Sequence, residues 1–291
     1  AHRGYSIASL FTQFPELARL LDVTSVTAFE PFLESGTLGV LTAACGSSDS
    51  AISACEADAS TSTPASCKKD PHQKWHDYWG ADKLPPWDSG CPCSILADTL
   101  CTEPALVELC ATSHKAQAVE LGCGSGQNVV LLAEKGFAVT AVDVAGSALS
   151  RGRELATHRG LAEQICWLEQ DAFKLLEEKA EMVGRFDFMF DLQCFHVLRQ
   201  DDESGIVSVM AGLLRPGGHL LVVTGNAEEP VDRGPVRLSK EELLTAFDES
   251  RFQLVWVRKG HFDPTPAYSA SGSEPPLAWA ALFQRRAVGK S

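Results

Sequence analysis

Four acidic side chains and one run of glycines hold the residue types in this chain that could do chemistry. Glu120 stands just ahead of Gly122, Gly124 and Gly126 in the string VELGCGSG, Asp143 ends the next apolar run, and Asp171 and Asp191 follow two later ones. Glycines at alternate positions bring backbone close to a ligand where any Cβ would intrude, and a helix starting behind them offers unpaired N–H groups. A carboxylate at the end of the next strand is an acceptor for a ribose diol. The dinucleotide fingerprint is G-x-G-x-x-G, whereas here the third glycine comes one residue early behind a glutamate. That spacing favours a nucleoside-type ligand without pyrophosphate.

A sheet has to hold these residues on one rim. Residues 115–121 read as a short buried strand, 127–135 as a helix with Val129, Val130, Leu132 and Ala133 on its apolar face, and 137–142 as a second strand. A polar helix is expected over 147–157 and a third strand over 165–168, which brings Asp171 and Ala172 to the same rim. Residues 185–190 form the fourth strand and present Asp191, Gln193, Cys194, Phe195 and His196. A helix over 201–214 and a tight Arg215-Pro216-Gly217-Gly218 turn lead into a buried fifth strand. Ser239 with Glu242 three residues on is a capping box, 94–110 is a helical stretch, and 252–258 with 277–285 alternate as a closing hairpin pair.

Composition narrows the class. Of 291 residues, 45% are hydrophobic and 22% charged, and no run of about 18 apolar residues exists to span a membrane. The net charge of -13 repels phosphate backbones, so no nucleic-acid partner is expected. Ten cysteines in a long chain without a secretory signal read as reduced thiols, and Cys91-Pro92-Cys93 has no second pair at zinc spacing, so no metal is expected. An intracellular, cytoplasmic location fits, or an organelle if a transit peptide was removed ahead of Ala1. Residues 1–41 carry helical apolar spacing and read as an N-terminal helical extension for docking, targeting or contact with a protein partner. Residues 42–70, poor in large apolar side chains over 42–66, read as a low-complexity linker, and 71–291 as the main domain.

Trp75, Trp79 and Trp87 fall within thirteen positions around a Pro-Pro turn. They either pack an amphipathic helix onto the sheet or form a lid that excludes water and faces a cation, and both can hold together. Two resemblances now attach to these residues. E-x-G-x-G-x-G with Asp143 after the second strand resembles the first two motifs of class I S-adenosylmethionine (SAM) methyltransferases. The segment with Trp75, Trp79, Pro85, Pro86, Trp87, Asp88, Gly90 and Pro92 resembles the cap of the thiopurine methyltransferase superfamily, which includes tellurite-resistance and plant halide/thiol methyltransferases. The string FDFMFDLQCFHVL is similar to its fourth motif at Asp191, Phe195 and His196, but Leu192-Gln193 replaces the usual Arg-Gly.

The resemblance implies a three-layer α/β sandwich, Rossmann-like, with a seven-stranded mostly parallel sheet whose last strand is antiparallel. It implies SAM as cofactor, S-adenosylhomocysteine as product, and methyl transfer to a small-molecule acceptor that is a soft nucleophile, a thiol above all. Cofactor contacts then fall to Glu120, Gly122, Cys123, Gly124, Gly126, Asp143, Val144, Asp171, Ala172 and Asp191, under the lid of Trp75, Trp79 and Trp87. Asp171 would accept from the adenine amino group, or serve only as a helix N-cap. Asp191 and His196 are the catalytic candidates, His196 either orienting its neighbours or acting as a general base. Residues 226–234 are expected to line the acceptor pocket. Two rivals stand beside this reading: an O- or N-methyltransferase on a small metabolite, and a methyltransferase-like subunit with a binding or assembly role through its N-terminal extension.

Overall fold

A computed structural model describes residues 70–80, 84–112 and 115–287. The expected N-terminal extension and all but the last residue of the linker lie outside the described residues. Within them, helices α1 (Gln73–Gly80), α2 (Ser94–Thr102) and α3 (Pro104–Ala111) precede an alternating β/α series. That series runs β1 (Gln117–Leu121), α4 (Gln127–Glu134), β2 (Ala138–Asp143), α5 (Gly146–His158), β3 (Ile165–Glu169), α6 (Leu175–Glu178), β4 (Phe186–Leu192), α7 (Phe195–Leu213) and β5 (Leu214–Asn226). The two-residue β6 (Arg237–Leu238), α8 (Lys240–Ala246), β7 (Phe252–His261), α9 (Pro266–Ser271) and β8 (Leu277–Arg285) close the fold.

The sheet order is β3-β2-β1-β4-β5-β8-β7, with β6 added at the end of β5. β8 runs antiparallel to both of its neighbours and the other pairings are parallel. The mostly parallel seven-stranded expectation therefore holds. Both faces are buried, because alternate side chains along a strand point to opposite sides. Leu220 and Val222 of β5 enter one core with Val119 and Leu121, while Leu221 and Val223 enter the other with Ala118, Phe188 and Phe190. Among the described residues no helix is long and apolar enough to cross a membrane.

Three local expectations change. The helical stretch over 94–110 is two helices, because Pro104 has no N–H with which to continue α2 and instead opens α3. α7 begins at Phe195 rather than 201, since Asp191 Oδ2 accepts the Phe195 N–H at 2.9 Å. The expected start coincides instead with a break inside α7, where Asp202 is extended (φ -156°, ψ 95°) and its carboxylate accepts the Gly205 N–H. The Arg215–Gly218 turn is a bulge within β5: Leu214 pairs with Phe186 and His219 with Phe188, so the chain loops out between them. Gly217 at φ 79° allows that loop. The capping box at Ser239 and Glu242 is present with both of its hydrogen bonds. At the outer edge, β7 carries a register shift between Leu254 and Trp256, and Leu254 and Val255 are exposed.

The chain leaves β1 towards β2 and β3, then returns to β4 on the other side. The crevice at this reversal, outside the strand carboxyl ends, is where an open α/β sheet binds its ligand.

Candidate active site

A cavity of about 780 Å³ occupies this crevice. Every site residue expected from the sequence lines it except Gly126 and Asp191. One side is built by α1, the glycine turn and the ends of β2 and β3. The other is built by the segment after β4, residues 234–236, and the loop after β7. Of the 226–234 loop only Gly234 reaches the wall.

The glycine turn is fixed by its protein neighbours. Gly122, Gly124 and Gly126 have φ of 63°, 52° and 78°, a region that residues with a Cβ rarely adopt. A Cβ on Gly122 would lie 2.7 Å from Cys194 Sγ, one on Gly124 2.7 Å from the Trp79 ring, and one on Gly126 2.6 Å from the Trp167 ring and 3.1 Å from Gly152 Cα. The first two also face the cavity. Gly126 does not, and its glycine is explained by the packing of Trp167 against α5.

Asp143, at the end of β2 as expected, uses one oxygen to accept the Gly124 N–H and the other to accept the Ala145 N–H, both at 2.9 Å. Burial raises its pKa against the pull of these bonds. Glu120 is 1% exposed, and its Oε1 accepts from Asn128 Nδ2 at 2.9 Å while its Oε2 has no partner among the described residues. Burial, reinforced by the charges of Asp191 and Asp143, holds the Glu120 carboxyl well above the usual range. Asp191 is fully buried, with Oδ2 at the start of α7 and Oδ1 unpartnered, and burial pushes it up to about 7. Sequence reasoning put Asp191 in the cavity. The structure puts it beneath the wall, since its nearer partner is the helix start.

The cap is tied to the turn by two residues that the sequence reading left without a role. Asn128 Oδ1 accepts the Cys93 N–H at 2.8 Å, and Asp88 Oδ2 accepts from the Ser125 hydroxyl at 2.6 Å. A polar side chain on the buried face of α4 was the available signal for Asn128. Trp79 packs on Gly124 and against Ala145 and Ala148, which is the packing reading. Trp75 and Trp87 meet edge to face, with centroids 6.0 Å apart, and Tyr78 lies 4.7 Å from Trp87. Asp171 is an N-cap, accepting the Phe173 N–H at 3.0 Å, with His72 Nε2 3.4 Å from its other oxygen.

His196 is 1% exposed. Its Nδ1 accepts the Gly225 N–H at 3.3 Å and lies 3.0 Å from Thr224 Oγ1, which puts the proton of the neutral ring on Nε2. Burial pushes its pKa down to about 3. Beside it, Gln193 at φ 64° is the one non-glycine residue with positive φ among the described residues, a conformation that costs of order 1 kcal/mol. Thr265 is 5% exposed, and its hydroxyl has no partner among the described residues. Both line the cavity, and neither was expected as a site residue. The cysteines among the described residues, including Cys91 and Cys93, are free thiols.

Residues 118–218 match the family described as methyltransferase domain. The chain is 28% identical over 183 residues, 63% of it and 75% of the relative, to a probable thiol methyltransferase 2 of Arabidopsis thaliana. It is 26% identical over 194 residues, 66% of it and 78% of the relative, to thiocyanate methyltransferase 1 of the same plant. Among solved structures, one described as the conversion of a disulfide bond into a thioacetal group during echinomycin biosynthesis superposes with a TM-score of 0.59. That match has 20% identity and covers 75% of this chain and 93% of that one, and it speaks to fold alone.

Proposed function

We propose that the group methylated by this S-adenosylmethionine-dependent methyltransferase is a small soft nucleophile, a thiol. The cavity suits such a cofactor. Asp143 and Asp191 are buried close enough to raise the pKa of Glu120, all three raise that of Cys194, and Glu120 Oε2 is left without a partner among the described residues. Buried carboxylates without a partner call for a cationic ligand, and SAM carries an ammonium and a sulfonium. In this reading Glu120 takes the ammonium, Asp143 the ribose hydroxyls, and Asp171 with the Ala172 N–H the adenine. The backbone at Gly122, Cys123, Gly124 and Val144 shapes the floor. Trp75, Trp79 and Trp87 cover the sulfonium and exclude water. Asp191 supports the site from below by holding the start of α7.

When bound, SAM supplies a methyl group already activated towards a nucleophile. A polarisable sulfur then needs alignment and a dry site more than a base, and the thiol proton can leave to solvent. The observation that carries this reading is the state of His196. Its Nδ1 is committed to the Gly225 N–H and its basicity is low, so it is a poor base for an alcohol acceptor. The names of the two plant relatives, a probable thiol methyltransferase and a thiocyanate methyltransferase, both speak of soft sulfur acceptors, and the first of a thiol.

The test is turnover of simple thiols by His196→Asn across pH. A thiol has an ordinary pKa near ~8.5, so the rate should climb with pH until the thiolate fraction saturates, and the variant should stay within about tenfold of the parent. A loss of ~10² to 10⁴-fold would mark His196 as a working base and transfer the assignment to O-methylation.

A further inference from the structure

The far side of the cavity, resting on the thiol reading above, carries a statement about which thiol. Its wall from Leu192 onwards contains no lysine or arginine among the described residues. The titratable groups there are Cys194, Asp201, Asp263, Tyr268 and the neutral His196. Among the described residues the one lysine or arginine in the lining is Lys74 on the cap, whose ammonium lies 4.7 Å over the Trp75 ring. Asp263 is held in place by the Ser94 N–H, which donates to its Oδ2 at 2.9 Å. Arg233, behind this wall, lies 5.7 Å over the Tyr268 ring and is already paired with Glu229 at 3.1 Å. An anion arriving here would therefore meet carboxylates with no unpaired cation among the described lining residues of this wall, and like charges brought together at close range are strongly disfavoured.

Uncharged groups do have provision here. Among the described residues the Thr265 hydroxyl is buried without a partner, and the half-buried Gln193 lines the cavity with its side-chain amide while its backbone N–H donates to the Val223 carbonyl at 3.0 Å. An orphaned buried hydroxyl and a strained non-glycine backbone are both unfavourable in the free protein, and such features gather where a ligand repays them. Leu192, Val197, Leu198 and Phe262 supply the apolar remainder of the wall.

We infer that the acceptor is a thiol with an uncharged, largely apolar body whose polar substituent hydrogen-bonds to the Gln193 amide and the Thr265 hydroxyl, and that inorganic anions and carboxylate-bearing thiols are excluded. Gln193 and Thr265 are specificity-determining residues, and their signature is that relieving the positive φ at Gln193 or removing the orphaned Thr265 hydroxyl steadies the free protein while weakening the acceptor.

The probes are N-benzyl-2-mercaptoacetamide, mercaptoacetate and thiocyanate, each measured by turnover with SAM and by calorimetry against the S-adenosylhomocysteine complex. The uncharged amide thiol should bind that complex and show kcat/KM at least about tenfold above the two anions. Gln193→Gly and Thr265→Val should each raise the melting temperature of the ligand-free protein. Each should also raise KM for the amide thiol about three- to tenfold, with kcat nearly unchanged and affinity for S-adenosylhomocysteine kept. Anions used as well as the uncharged thiol, or variants that gain stability without any change in KM, would overturn the inference and leave thiol methylation standing. Failure of all three probes to bind or turn over would overturn the thiol reading and this inference with it.

Discussion

On the β1 to β3 side of the cavity Asp143 engages both oxygens with backbone N–H groups and each glycine of the turn is held by a named neighbour, whereas on the β4 to β7 side Thr265 keeps a hydroxyl with no partner among the described residues and Gln193 holds its half-buried side chain on a positive-φ backbone. The first side is finished before any ligand arrives, except at Glu120 Oε2. The second is left open in its hydrogen bonds and strained in its backbone at Gln193. The difference separates two tasks. A cofactor of fixed shape is met by preset geometry, while an acceptor is selected by the groups left over for it.

The largest effect that would sharpen this contrast is at Gly126. Gly126→Val places a Cβ against the Trp167 ring and Gly152 at a positive φ, so it should lower unfolding stability by about 3 kcal/mol in urea titration. An unchanged midpoint would mean that the turn is not preset at all. Next comes Asp143→Ala, which removes the acceptor of two backbone N–H groups and the proposed ribose partner. SAM affinity should fall by ~2 kcal/mol or more by calorimetry, roughly thirtyfold, while thiol affinity changes less than about threefold. Equal losses for both ligands would show that the two sides are one unit.

The smallest effect is a pH dependence. His196 titrates near 3 in the folded protein against an ordinary 6.5, so the unfolded chain takes up a proton below pH 6.5 that the folded one refuses. The stability contributed by the neutral ring is therefore full above pH 6.5 and is lost as pH falls towards 3, by at most ~1.4 kcal/mol per pH unit. Asp191 acts in the opposite sense. Held at about 7 against an ordinary 3.8, it contributes most below 3.8 and loses that contribution as pH rises through 7. Between pH 6.5 and 5.5 the two contributions nearly offset each other in the parent, so His196→Asn should gain stability towards acid relative to the parent in melting curves, and parallel curves would refute the buried neutral ring.

Much of the first side was legible because its residues lie close together in sequence. Glu120, the glycine turn and Asp143 fall within a single strand-turn-helix-strand unit, where spacing alone implies position. The capping box at Ser239 was legible for the same reason. Asp191 was read as a cavity residue because it ends β4, and only the three-dimensional path of α7 shows that its carboxylate turns to Phe195. The break between α2 and α3 was marked by Pro104 and went unread. The second side is assembled from Gln193, residues 234–236 and Thr265, each on a different connection, and nothing in local periodicity brings such residues together. The backbone strain at Gln193 has no sequence signal either, since glutamine is an ordinary residue in every other conformation.

The outer strand β7 is one of the two edges that the sheet has among the described residues, and its build bears on what such an edge can do. An edge strand exposes unpaired N–H and C=O groups that invite another chain to add on. The register shift between Leu254 and Trp256 throws one residue, Val255, out of step. Farther along the strand Arg258 lies over the Trp256 ring and Lys259 pairs with Glu228. A flat, apolar approach by a foreign strand would have to desolvate those charges and follow a kink that it does not share. The exposed Leu254 and Val255 are thereby kept from seeding sheet growth from one molecule to the next.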